Sequence, residues 1–207
     1  MSLRLSGSTS GYAEIDAPAV AGSNTLILPA SNGSAYQFLR NGATAGTTEF
    51  AAAITSGTAV ASTSGTSIDF TSIPSYVKRI TVMFNSVSSN GSSPFLIQLG
   101  SGSVQITGYL SGCGSRSNET NSTAGLVLNV VGESTQAFSG SSIITLLGSN
   151  LWVSFGTLPR AGSGGDGFAN TNAGSVTLSG TLDRIRITTV NGTDTFDAGS
   201  INILYEG

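Results

Sequence analysis

The chain holds no histidine in its 207 residues. That removes the commonest general base, the Ser–His and Cys–His nucleophile pairs, and most zinc and iron sites. Carboxylates remain: Asp183, Asp194 and Asp197 fall near the C-terminus, and Glu119 and Asp166 lie in Gly/Ser-rich surroundings. Glycoside cleavage needs two carboxyl groups about 5–10 Å apart across a sugar cleft, and an inventory of acids does not supply that geometry. Within Asn-Gly-Thr-Asp-Thr-Phe-Asp-Ala-Gly, residues 191–199, Asp194 and Asp197 read better as turn formers with Asx-type hydrogen bonds. Gly162-Ser-Gly-Gly-Asp-Gly167 lacks the Lys-Ser/Thr of a phosphate loop and a strand-to-helix setting. Asp166 alone offers too few oxygens for calcium. The expectation is a non-enzymatic protein with no metal and no cofactor.

A single cysteine, Cys113, excludes an internal disulfide framework and any multi-cysteine metal site. Ser111-Gly-Cys-Gly-Ser115 reads as an exposed loop, so Cys113 is either an unremarkable free thiol or the site of an intermolecular disulfide to a partner chain. Trp152, the only tryptophan, reads as core, with sugar stacking as the alternative.

Charged residues make up only 9% of the chain against an average near 25%, and the formal net charge is −3. Eight Lys plus Arg form no cluster denser than Lys78–Arg79 or Arg184/Arg186, so a nucleic-acid partner is not expected. Asp183, Arg184 and Arg186 read as a solvated strand face with cross-strand ion pairs, or else as a subunit contact. No apolar run approaches the roughly 20 residues of a membrane span, so no membrane insertion is expected. With no signal-peptide pattern at the start, sequons such as Asn32-Gly-Ser and Asn191-Gly-Thr are expected to act as turns. High Ser, Thr, Asn and Gly content with organised hydrophobes and low net charge points to a folded β protein rather than disorder.

The elements follow from alternation and turn residues. Helix signal is confined to Thr48–Ile54, too short to stand alone. Short β-type runs at Leu3–Leu5, Tyr12–Ile15, Thr25–Leu28 and Tyr36–Leu39 each carry two or three apolar side chains, too few to bury a core without other chains. From Ser67 onward strands are expected at 67–71, 77–87, 95–99, 104–110, 125–131, 142–147, 151–155, 175–178, 182–190 and 200–205. Strands at about 8–12-residue intervals with Gly/Asn turns give an all-β antiparallel sandwich or jelly-roll-like head. Asn90-Gly91 and Asn191-Gly192 read as hairpin turns. Residues 1–50 are expected as an extended, intertwined module, 51–66 as a linker, and 67–207 as the head. Two long segments, Ser111–Ala124 and Leu158–Gly174, read as functional loops.

Several strings carry a resemblance: GSTSGY with APAVAGSNTLILPASNGSAYQFLRNG near the N-terminus, SGTSIDFTSIPSYVKRITVMFNSVSSNGSSPFLIQLGSG and TGYLSG in the middle, and LSGTLDRIRITTVNGTDTFDAGSINILYEG at the end. Together they resemble the tail-fibre and receptor-binding proteins of tailed bacteriophages, especially phages of cyanobacteria and other aquatic bacteria. The resemblance implies a homotrimer in the virion tail, assembled in the bacterial host cytoplasm. Residues 1–50 would bind a tail or baseplate protein, and the head would bind a host-surface glycan or protein. Gly112–Ala124 and Leu158–Gly174 are the least family-like parts. Tyr109, Arg116, Arg160 and Phe168, in or beside them, are therefore the expected receptor contacts. The alternative is a capsid decoration (cement) protein that stabilises the phage head.

Overall fold

The computed structural model describes residues 3–16, 18–20, 22–42, 44–116, 118–130, 134–161 and 169–207. It is all-β: no helix occurs among the described residues, and every named strand pair is antiparallel. The chain divides into two units, Met1–Ala53 and Ile54–Gly207.

The first unit contains two hairpins. β1 (Leu3–Ser6) pairs with β2 (Tyr12–Ile15), and β3 (Phe38–Asn41) pairs with β4 (Thr48–Ala51). The helix formers at 48–54 are thus drawn into a strand, and Thr25–Leu28 contributes only an isolated bridge from Ile27 to Thr47. Arg4 caps the first hairpin by pairing with Glu14 at 3.2 Å and lying 4.5 Å from the centre of the Tyr12 ring. Arg40 holds Glu49 in the second, at 2.9 Å. Such surface pairs contribute about 0–1 kcal/mol each. No described side chain in residues 3–53 is buried, and Tyr36 is 98% exposed.

The second unit is a sandwich. Its strands begin with β5 (Thr55–Ser56), β6 (Val60–Ala61), β7 (Ile68–Thr71), β8 (Arg79–Ser89), β9 (Phe95–Ser101), β10 (Ser103–Val104) and β11 (Leu110–Gly114). They continue with β12 (Glu119–Ser122), β13 (Leu126–Val127), β14 (Ala137–Gly148), β15 (Leu151–Ala161), β16 (Ala169–Thr177), β17 (Arg184–Thr189) and β18 (Phe196–Glu206). One sheet runs β10-β9-β17-β7, with β13 also on β9; the other runs β12-β11-β16-β15-β14-β8-β18-β5, with β6 also on β18. Ile68, Ile97, Leu99, Ile185 and Ile187 from the first sheet share one buried cluster with Ile80, Val82, Ile144, Trp152, Ile201 and Ile203 from the second. Trp152 is therefore core, as its sequence context indicated.

At one end of this core Phe95 stands 5.5 Å from Phe138, edge to face, and 5.6 Å from Phe196, stacked. β9 is buried on both faces, because Leu96 joins Cys113, Val127 and Val130 in a second, smaller cluster. Pro74 begins a turn, closed by the Val77 N–H donating to the Pro74 carbonyl at 3.1 Å.

Three expectations need correction. Asn90-Gly91 and Asn191-Gly192 do not close hairpins, because the strands they join lie in different sheets. They are arches, and they clasp each other. The Asn90 amide donates to the Thr195 carbonyl and the Thr195 amide to Asn90 Oδ1, both at 2.9 Å, while the Ser93 amide donates to Asp194 at 2.9 Å. Asp194 does serve the turn, taking a further bond from Asn191 Nδ2 at 2.6 Å, but Asp197 sits in β18 and contacts the Ser88 hydroxyl.

The segment 51–66 is not simply a linker. β5 and β6 pair with β18, and Ser62 is fully buried, its hydroxyl donating to the Ala198 carbonyl at 2.7 Å. Finally, the described residues of Ser111–Ala124 and Leu158–Gly174 are largely strand rather than loop: they supply most of β11, all of β12 and the facing parts of β15 and β16. Small polar side chains hide the apolar alternation there, yet hydrogen bonds from Asn170 and Asn172 to the Leu158 and Leu128 carbonyls replace it.

The Asp183–Arg186 face carries ion pairs. Arg186 grips Asp69 across β7 and β17 with bonds of 2.7 and 2.9 Å, and Arg184 pairs with its own neighbour Asp183 at 2.7 Å. That last contact also holds the Asp183 carboxyl below its usual range.

Candidate functional site

The two segments flagged as least family-like meet. Ser111 of β11 lies opposite Gly174 of β16, and Gly112 lies opposite both Ala173 and Asn121 of β12. Leu110, Ser111, Gly112, Asn121, Thr123 and Ser175 line an open groove of about 650 Å³ there. Alternation aims Ser111 and Cys113 inward and leaves Leu110 and Gly112 on the outer surface. A Cβ at position 112 would come within 3.0 Å of Asn121 Oδ1, so glycine lets that amide lie over the strand. Ser111 anchors the floor, its Oγ accepting from the Val127 amide at 2.8 Å. The lining side chains carry hydroxyl, amide and aliphatic groups and no charge, and Leu110 is 78% exposed. Such a surface suits an uncharged polar ligand with one apolar face.

The expected contact residues are distributed unevenly around it. Tyr109 is among the residues lining the groove, but its side chain is corrected as a contact: the residue is 3% exposed and packs in the main core. Its hydroxyl accepts from the Leu99 amide at 2.7 Å and donates to the Gln105 carbonyl at 3.0 Å. Burial pushes the phenol up to about 12, against a smaller opposing pull from the Leu99 hydrogen bond. Arg116 is exposed beyond the end of β11. Arg160, half-buried, donates to Gln136 at 3.2 Å near the end of β15. Register sets both arginines towards the Ala161/Ala169 end of the sheet, away from Leu110. Phe168, Asp166 and the Gly162–Gly167 string lie outside the described residues.

Cys113 is the second correction. It is in a strand, 4% exposed, with the thiol pushed up to about 12 by burial. A disulfide to another chain requires the sulfur at the surface as a thiolate, and neither condition holds here. We expect maleimide labelling of native protein at pH 8 to be slow and to become rapid in denaturant, since a pKa near 12 leaves roughly one thiol in ten thousand ionised at that pH. Both Cys113 and Tyr109 hold their protons more tightly in the folded state than the unfolded chain does, so stability is full below about pH 9 and declines as pH rises towards 12. The urea midpoint should fall across that window, and Tyr109→Phe should flatten the fall.

Sequence reading overlooked Phe155, which is 62% exposed on β15 and lies directly opposite Ala173 at the margin of the groove. The period-2 pattern of Leu151-Trp-Val-Ser-Phe155 carried the signal: Trp152 and Ser154 point in, Val153 and Phe155 out. Among the described residues no group of three or more Cys, Asp or Glu side chains is placed to hold a metal. A smaller hollow in the first unit is lined by Pro29, Asn32, Gln37, Glu49 and Phe50. No family model, curated protein or solved structure matches the chain. The class that can be stated is therefore architectural: an antiparallel β-sandwich with a small two-hairpin unit ahead of it.

Proposed function

We propose that this chain is a non-enzymatic attachment protein of a phage tail. Several copies, three by the resemblance of its sequence strings to tail-fibre proteins, would be joined through residues 1–50, which also bind the tail or baseplate. The sandwich head would contact a glycan or protein on the host surface. The observation that carries the reading is the first unit, where hairpins of four-residue strands hold no buried side chain among the described residues while Leu3, Leu5, Ile15, Leu26, Ile27 and Leu28 are all more than half exposed. Two-stranded hairpins of that size are marginal in water, and ordering them needs apolar burial that other chains can provide. In the head, the groove between β11, β12 and β16 is the favoured receptor contact, because three heads with weak sites gain strongly from avidity.

Native mass spectrometry of the full chain and of a form lacking residues 1–53 tests the assembly. The full chain is expected at three times the monomer mass and the truncated form as a monomer or weak oligomer. A monomeric full chain would sink the proposal. Adsorption assays test the rest: excess soluble trimer should block attachment of the parent virus to its host, and a Gly112→Trp, Ser175→Trp double variant should block far less. A cement protein would leave adsorption unchanged.

A further inference from the structure

We infer that the outward face of the nine-stranded sheet over β18, β8, β14 and β15, centred on Phe155 and leaving the groove at β11, β12 and β16 open, is where the heads of neighbouring copies of this chain pack against one another. This rests on the multi-chain assembly proposed above and goes beyond it by locating the contact in the head. Cross-strand register assembles the face. Leu204, Thr81, Ile143 and Phe155 run in one row across β18, β8, β14 and β15, which ends at the groove-lining Ala173 of β16. Met83, Ser141 and Thr157 form the next row, and Val153 lies opposite Thr145 on the other side. The same strands bury Val82, Ile144 and Trp152 on their inner face, so the centres of β14 and β15, with Ile143, Val153 and Phe155 outward, carry apolar side chains on both sides. Sheets with one solvated face normally show polar residues there, and strands apolar on both sides are the pattern of sheets covered twice. A 62% exposed phenylalanine flanked by Ile143 and Val153 is an unpartnered apolar surface.

Two observations select a second copy of the chain as the cover. Charge is the first. Among the described residues of this face, charges occur only at its ends: Arg79 and Glu206, which neutralise each other, Asp197 at the start of β18, and Glu119 on the edge strand. Identical surfaces can therefore meet with no like charges opposed in the middle. The tether is the second. The head begins at Ile54, directly after the unit whose apolar side chains call for partner chains. Copies joined there hold their heads at an effective concentration of about millimolar or more, so a modest apolar patch suffices to pair them. A foreign partner would have to compete with that.

Met83 offers a probe on this face, since the only other methionine in the chain is Met1. Full-length wild type, Phe155→Asp, the milder Phe155→Ser and the control Thr71→Asp, on the outer face of the other sheet, are treated with hydrogen peroxide. Met83 oxidation is followed by mass spectrometry, native mass is recorded alongside, and small-angle scattering reads the spread of the heads. We expect all four to keep the same oligomeric mass. Met83 should oxidise about tenfold faster in both Phe155 variants, with a larger radius of gyration, while Thr71→Asp matches wild type. Oligomers in which Phe155→Asp changes neither rate nor radius overturn the head contact while leaving the assembly intact. A monomeric wild type overturns both.

Discussion

Phe95→Ala is expected to destabilise the head by about 4 kcal/mol, the cost of emptying a buried aromatic site that the core cannot close over. Phe95 is 1% exposed and touches Phe138 and Phe196 in two different ring geometries. It therefore joins β9 of one sheet to β14 and β18 of the other. Its own amide is held by the buried Asn129 Oδ1 at 2.7 Å, which fixes the strand and prevents it from sliding in to fill the space. For a domain of this size each kcal/mol shifts the melting temperature by about 2–4 °C, so a drop of roughly 10 °C follows. Urea unfolding with unchanged slope and a lowered midpoint is the confirming result. A loss below about 1 kcal/mol would show that the two sheets are not held together at this point.

Gly199→Ala should be nearly as damaging, for a different reason. Gly199 has φ of +92°, in the region that favours glycine, and a Cβ there would overlap the carbonyl oxygens of Ser86 and Asn85. The β8–β18 register shifts between Phe196 and Ala198 and again between Ala198 and Ser200, the second shift spanning Gly199, and Ser86 itself has φ of +52°. The bulge lets Val87 return to the core after Asn85 and Ser86 have faced outward. Strain plus overlap amount to about 2–3 kcal/mol. Because the Ser62 amide also donates to the Gly199 carbonyl at 2.9 Å, the variant should loosen residues 54–66 first, visible as faster amide exchange at Ser62.

The strands that sequence reading found best are those whose apolar residues alternate. Ile68–Thr71 buries Ile68 and Phe70 and exposes Asp69 and Thr71, and Ile80, Val82 and Phe84 do the same in β8. β11, β12 and the start of β16 escaped because serine, glycine, cysteine and asparagine occupy their inward positions, with burial made tolerable by side-chain hydrogen bonds rather than by apolar contact. That is also why Cys113 looked like a loop residue. The Asn-Gly pairs were legible as turns but not as arches, since dipeptide chemistry sets a local reversal and says nothing of which sheet receives the next strand. Of the site, two unusual segments were legible in the sequence but not that they meet; Tyr109 was misplaced because Gly108 and Leu110 beside it give no local sign of the core it enters.

The way the head begins has a mechanical consequence. β5 and β6 are two-residue strands laid antiparallel on the edge of β18, meeting it at Thr55–Tyr205, Ser56–Leu204, Val60–Ile201 and Ala61–Ser200. Tension entering at Ile54 loads those rungs one after another, as in unzipping, while the long strands of the core bear none of it until β7 is reached. Thirteen residues from 54 to 66 then extend by at most roughly 45 Å. The edge of the sheet works as an extensible leash that yields and re-zips at low force, leaving groove and core intact under a pull.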